Sequence, residues 1–446
     1  MSQTYNRVTV SYSDAEKESN ASKAALILSQ IQDLEKTKQS EIFDNQLTTA
    51  LKICRAFQKP QVSLVMTVAP TQSGKTGTML GLMKALYSFP DYSPPNPDNI
   101  WVITGLSDCS WKSQTTSRMP EFLQSHVLHR QDLVGEFQET IKTMRDALII
   151  IDEAQIACKV GQTLHKVFAA GGLLNLKQIA ERNIRIVMFT ATPSGLRQEI
   201  GAWGEHCEMV MMDTPASYIS PMNLMERNQI FECKDIGGVD KFGKLRVPIE
   251  ELTKNLKELQ QVVLSYPDAS YHLVRIHKGI MGDAAIENVI EVFKSTDQDI
   301  EFRRYFGSPV IKSKDTRECV RKMKPIIGDI NRVLSKQPTK HTIIFIKDRL
   351  RCAKTLVKKY IGLEYERYSN AKNDEVSIQG IRATGYNHNP KMTIFANRSS
   401  IENYQRLFDT QFLDNSVEWR SGTTKYRSQL KKQEAVPTFL GAIVKE

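Results

Sequence analysis

Apolar residues follow two rhythms along this chain. Up to about residue 58 they recur at helical spacing. Ala21 to Leu34 predicts one helix and Phe43 to Phe57 a second. Beyond Pro60 the apolar residues gather into short continuous runs. Val62 to Val68 lies between Pro60 and Pro70, and Ile100 to Thr104, Ala147 to Ile151, Ile184 to Phe189 and Glu208 to Met212 follow. A helix is predicted from about Lys75 to Tyr87, and Pro90 to Pro97 reads as a loop. Continuously apolar strands alternating with helices predict a parallel sheet covered on both faces. From about 213 to 265 the rhythm is lost, and Gly237-Gly238 with mixed charge suggests a connector. A second alternating region holds the runs Tyr271 to Ile276, Thr342 to Ile346 and Met392 to Ala396.

The pattern predicts an α/β chain in four parts: a helical segment 1–58, a first lobe 59–215, a connector 216–265 and a second lobe 266–446. Its 446 residues suit two or three domains. No apolar run reaches the roughly 18 residues that span a bilayer, and no h-region follows the N-terminal Met. A soluble intracellular protein without a membrane partner is expected. The seven cysteines form no CxxC pair, so neither a zinc site nor a disulfide framework is expected. Charge is uneven. Residues 1–220 carry 21 basic and 22 acidic residues, and residues 221–446 carry 39 and 28. The basic half would attract a polyanion, although solvated surface charge accounts for it about as well.

The strand 62–68 runs into Ala69-Pro-Thr-Gln-Ser-Gly-Lys-Thr76 and then a helix, the context of a P-loop. Backbone amides of Thr71, Gln72, Ser73 and Gly74 would cradle phosphates at the helix N-terminus. Gly74 permits close approach, Lys75 places a charge on the β and γ phosphates, and the Thr76 hydroxyl would bind Mg²⁺. The usual first glycine is Ala69 here. Leu148-Ile-Ile-Ile-Asp-Glu-Ala-Gln155 is a buried run ending in two carboxylates. Asp152 at a strand's carboxyl end faces the ligand crevice and could hold the metal. Glu153 is placed to deprotonate an attacking water. Thr190-Ala-Thr192-Pro follows the next strand, where its hydroxyls could bond to the Asp-Glu-Ala-Gln segment; a capped strand-end turn explains it equally well in isolation.

Ala-x-x-x-x-Gly-Lys-Thr, Asp-Glu-Ala-Gln and Thr-Ala-Thr, in this order, resemble motifs I, II and III of superfamily 2 helicases over about residues 40–215. The resemblance implies two RecA-like lobes, each a mostly parallel sheet covered by helices, with ATP between them. Gln46 resembles the adenine-reading glutamine of this superfamily. Thr104-Gly105 and Trp111 to Arg118 occupy the place of motif Ia, where Lys112, Thr115 and Arg118 would meet a nucleic-acid backbone. Gln155 and Thr192 would bind the nucleotide, with the hydroxyls of the Thr190-Ala-Thr192 turn sensing the γ-phosphate. Ile343 to Ile346 resembles the motif IV strand, and Ile378-Gln379-Gly-Ile-Arg382-Ala-Thr-Gly-Tyr386 resembles motif VI. There Gln379 would line the nucleotide site and Arg382 would act as an arginine finger. The usual second arginine is Tyr386 here, and no motif V is visible between 350 and 378. The wording around Gln379-Gly380 and Trp111-Lys-Ser-Gln most resembles helicase-like proteins of large DNA viruses and phages.

Basic clusters run through Lys312, Lys314, Arg317, Arg321, Lys322 and Lys324, then Lys347, Arg349, Arg351, Lys354, Lys358 and Lys359. Arg317, Arg321 and Lys324, like Arg351, Lys354 and Lys358, are spaced as helical stripes that could track phosphates. Tyr365, Tyr368, Tyr386 and Trp419 could stack on bases, with core packing the more ordinary role.

The expectation is an ATP- and Mg²⁺-dependent helicase or translocase. It would act on DNA rather than RNA, largely without sequence preference, with protein partners from replication, transcription or repair. The alternatives are a nucleic-acid switch or recruitment module without unwinding, the ATPase part of a nuclease complex, and a P-loop kinase or transporter ATPase.

Overall fold

The computed structural model describes residues 4–107, 109–307, 318–350, 354–368, 373–420, 424–426, 433–435 and 438–444. The chain forms two compact units, Met1–Ala216 with Ser421–Glu446, and Ser217–Arg420.

The first unit opens with helices α1 (Asp14–Lys36) and α2 (Asp44–Gln58). Ser13 and Glu16 start α1 with reciprocal side-chain bonds to each other's amides, a capping box. Six strands follow: β1 (Leu64–Val68), β2 (Ile100–Thr104), β3 (Val127–Leu128), β4 (Ala147–Asp152), β5 (Ile184–Thr190) and β6 (Cys207–Met211). They pair in parallel in the order β3-β2-β4-β5-β1-β6. Every residue of β1, β4 and β5 is buried. This is why these strands read as continuous apolar runs rather than alternating ones. Helix α3 (Lys75–Ser88) follows β1 and packs on α2, so the N-terminal helices are part of this unit.

The second unit is a seven-stranded parallel sheet. Its strands are β7 (Ile230–Glu232), β8 (Tyr271–Arg275), β9 (Glu301–Phe306), β10 (Lys324–Pro325), β11 (Thr342–Lys347), β12 (Ile361–Tyr365) and β13 (Thr393–Ala396). Their order is β10-β9-β11-β8-β12-β13-β7. The two parallel α/β lobes expected from the resemblance are therefore present.

Two boundaries differ from the sequence reading. The stretch 216–265 is no connector: β7 forms an edge of the second sheet against β13. The helix Ile249–Leu264 sends Leu256, Leu259 and Val263 into the core beside Ile286, Val289 and Phe345. A three-residue strand carries too little pattern to stand out between glycines and charges. Nor does the second lobe extend to the C-terminus. Phe439 and Leu440 are fully buried in the first unit. There the Phe439 amide donates to the Cys158 carbonyl at 2.8 Å, and the Trp203 indole donates to the Leu440 carbonyl at 3.2 Å.

Candidate functional site

The P-loop leaves the carboxyl end of β1 and enters α3 at Lys75. The Ala69 amide donates to the Thr190 carbonyl at 2.9 Å, tying the start of the loop to the end of β5. Gly74 turns into the helix with φ +99°, a left-handed value that any side chain resists. The Ser73 hydroxyl is buried and points to Met212 Sδ at 3.3 Å, so only its backbone can serve a phosphate. Thr71, Gln72 and Thr76 are half-buried.

Lys75 meets both carboxylates at the end of β4. Its ammonium bonds to Glu153 Oε1 and lies 3.4 Å from Asp152 Oδ1. The three side chains are only 10%, 8% and 4% exposed for Lys75, Asp152 and Glu153. Burial pushes the Asp152 carboxyl above its usual range, against the pull of the Lys75 ammonium. Glu153 holds φ at +51°, a costly conformation for a residue with a side chain. The cost is met by what the turn achieves. Glu153 Oε2 accepts from Gln155 Nε2 at 2.7 Å, Gln155 Oε1 accepts from the Thr190 hydroxyl at 2.9 Å, and Thr190 Oγ1 accepts from the Thr192 amide at 3.1 Å. Lys75, the Asp152–Gln155 segment and Thr190–Thr192 thus form one chain of hydrogen bonds.

Gln46 lies on the first turn of α2, its Oε1 accepting from the Phe43 amide at 3.1 Å. Its carboxamide rests against Gly74 and Gly77, and a Cβ at either glycine would overlap it. Sequence reasoning missed the contact of Gly77 with Gln46. A glycine inside a predicted helix is the signal that could have found it.

The segment in the place of motif Ia reaches the same carboxylate. The Thr104 hydroxyl donates to the Asp152 carbonyl at 2.8 Å, and Gly105 packs against the Ile156 carbonyl. Helix α4 (Cys109–Thr116) buries Trp111, whose indole N–H donates to Asp152 Oδ2 at 2.8 Å. Of the expected phosphate contacts, Thr115 is buried and does not fit that role. Lys112 is bonded to Asp132 at 2.8 Å, and Arg118 is half-buried.

In the second unit Arg382 follows the helix Asp374–Gly380, which buries Gln379. Glu364 accepts the amides of Arg382 and Ala383 at 2.7 and 3.1 Å, and Arg382 Nη2 donates to the Leu350 carbonyl at 2.5 Å. Lys358 is buried and donates to the carbonyls of Ala383, Thr384 and Tyr386. Burial lowers its ammonium to about 8 and raises the Glu364 carboxyl to about 7.

Among the described residues the basic stripes are not helical stripes. Lys324 starts β10, outside the helix Glu318–Lys322, and residues 354–358 form no helix. Lys354 pairs with Asp329 at 2.9 Å. Lys312, Lys314, Arg317 and Arg351 lie outside the described residues. Tyr365 is a core residue, stacked on Phe395 at 4.9 Å with its hydroxyl donating to the Lys234 carbonyl. Tyr368, Tyr386 and Trp419 are half-buried.

Among the described residues no cluster of three His, Cys, Asp or Glu side chains could hold a metal by itself. Thr76 and Asp152 nevertheless flank the turn that ends at Gly74, and hard oxygen donors of this kind suit Mg²⁺ shared with a phosphate. No helix among the described residues is long and apolar enough to cross a membrane. A cavity of about 430 Å³ lined by Arg7, Phe57 and Arg185 opens at the other end of the first sheet and contains none of these residues.

No protein-family profile matches the chain. It is 25% identical over 374 residues to an uncharacterized protein of Acanthamoeba polyphaga mimivirus, covering 78% of this chain and 84% of that one. Among solved structures it is similar to Mss116p bound to single-stranded RNA and AMP-PNP, at 10% identity and a TM-score of 0.44 over 88% of this chain and 79% of that one. Mss116 bound to single-stranded RNA and UDP-BeF gives 11% identity and 0.44, over 93% and 81%. The DNA-bound Type ISP restriction-modification enzyme LlaBIII gives 11% and 0.37, over 98% of this chain and 33% of that one.

Proposed function

We propose that this protein is an ATP hydrolase of the superfamily 2 helicase type, driven by nucleic acid and acting on DNA rather than RNA. The observation that carries this reading is the buried chain from Lys75 through Glu153 and Gln155 to Thr190 and Thr192. It links a phosphate-binding lysine to a carboxylate base and a strand-end sensor. A structural ion pair would not need this order of motifs.

In this reading the P-loop amides and the N-terminus of α3 bind the phosphates. Lys75 leaves Glu153 for the β and γ phosphates. Glu153 Oε1, relieved of the ammonium, then takes the proton of the attacking water. Its other oxygen stays fixed by Gln155, so the base keeps its direction. Thr76 and Asp152 would hold Mg²⁺, which when bound offsets the charge of the phosphates. Gln46 reads the adenine edge, its carboxamide held beside Gly74 and Gly77. The basic balance of residues 221–446 suits a polyanion held through its backbone.

Steady-state ATP hydrolysis tests this with Mg²⁺ alone, then with single-stranded DNA, duplex DNA or RNA, with Lys75→Ala as the blank. Stimulation of several-fold by DNA, absent in the blank, is expected. A Lys75-dependent rate indifferent to every polymer would reject the motor. Stimulation without strand displacement would favour a switch module.

A further inference from the structure

The nucleotide site and the motif Ia helix share one hydrogen bond that the proposed mechanism does not use, between the Trp111 indole and Asp152 Oδ2. We propose that Trp111 is a positioning residue that couples the surface of α4 to the metal-holding carboxylate. This rests on the reading of Asp152 as a metal ligand and α4 as a nucleic-acid contact.

The geometry carries the inference in three steps. First, the two oxygens of Asp152 have different partners. Oδ1 accepts from the Glu153 amide at 3.0 Å and faces the Lys75 ammonium, while Oδ2 takes the indole at 2.8 Å. An indole N–H only donates, so this contact fixes the rotation of the carboxylate and turns Oδ1 toward the phosphate side. Second, Trp111 is buried at the first turn of an eight-residue helix whose other side includes exposed Ser113. A load on that helix moves the indole with it. Third, the backbone beneath is already tied to Asp152, through the β2–β4 pairing of Thr104 with Asp152 and the Thr104 hydroxyl. The strand is therefore a fixed reference, and the indole is the part that α4 can displace.

The test is Trp111→Phe, which keeps a buried ring and removes the donor. The half-saturating Mg²⁺ concentration for ATP hydrolysis is expected to rise at least threefold, and stimulation by the polymer to fall by more than half. Thermal unfolding of the ligand-free variant separates this from general damage, since a packing role alone would not move the Mg²⁺ dependence. Wild-type values for both would overturn the proposal. If the wild type hydrolyses ATP but ignores every polymer, the motor reading fails. The Mg²⁺ shift then still decides whether Trp111 orients Asp152. Indole resonances cover a variant that does not fold. In wild-type protein labelled with 5-fluorotryptophan, the fluorine signal of Trp111, told from those of Trp101, Trp203 and Trp419 by replacing each of these with Phe in turn, should shift on adding Mg²⁺ to the ADP complex. A Trp111 signal that ignores the metal would overturn the proposal.

Discussion

Thr190→Val tests the chain of hydrogen bonds at its most enclosed point. The side chain is fully buried, donates to Gln155 Oε1 at 2.9 Å and accepts from the Thr192 amide at 3.1 Å. Valine keeps the shape and loses both bonds. A buried polar group deprived of its partner costs about 1–3 kcal/mol. Two such groups lose this partner here, Gln155 Oε1 and the Thr192 amide, for about 2–6 kcal/mol in all, and the extra methyl returns some of that, so a net loss of about 2–3 kcal/mol in the first unit is expected. In a unit of this size that lowers the melting temperature by roughly 4–12 °C. The same change frees Gln155, and with it one of the bonds that direct Glu153. If about 1.4 kcal/mol of orientation is lost, kcat falls about tenfold, with KM for ATP changed much less. Thr190→Ser keeps the hydroxyl and removes only a methyl, so it should lose stability but keep most of kcat. Gln155→Leu added to Thr190→Val should cost less than the two separate effects, by about 0.5–3 kcal/mol. The assays are urea or thermal unfolding without nucleotide and steady-state hydrolysis. Equal kcat losses for Ser and Val, or strict additivity in the double variant, would refute the reasoning.

Gly77→Val should place a β-branched side chain into the Gln46 carboxamide and weaken ATP binding at least tenfold. Gln46→Ala in the same chain should recover part of that affinity, and binding titrations of both would show it. Lys358→Met should leave the carbonyls of residues 383, 384 and 386 without their shared donor, destabilising the second unit by about 2–3 kcal/mol in denaturant unfolding. His272 is fully buried beside His341 at 3.0 Å, and burial lowers its imidazole from 6.5 to about 3. The unfolded chain therefore binds the extra proton first, and the contribution present above pH 6.5 is lost as pH falls from 6.5 toward 3. By pH 5 the loss is about 2 kcal/mol. His272→Phe should flatten that part of the stability profile, and an unchanged acid limb would count against the burial argument.

The sequence by itself determined the parallel-sheet class and most of the strand positions. Strands β1, β2, β4, β5, β8, β11 and β13 are apolar because both sheet faces are covered, and burial writes itself into composition. The P-loop and the carboxylate pair were legible for a related reason: each occupies a short contiguous stretch where chain geometry alone fixes the neighbours. Strands β9 and β12 were hidden because Glu301, Arg303, Arg304 and Glu364 interrupt the pattern and find partners only in the fold. Arg303 pairs with Glu301, Arg304 donates to the Met323 carbonyl, and Glu364 caps two amides. The tertiary structure alone decided the contacts between distant segments. Trp111 on Asp152, Gln46 over Gly74 and Gly77, and Lys358 beneath the 383–386 loop join residues 25 to 41 positions apart. The return of Phe439 and Leu440 to the first unit spans more than half the chain, as the 237-residue separation of Trp203 and Leu440 shows. Periodicity reports which face of an element is buried. It does not report which distant element buries it, because that choice is made by packing among all of them at once.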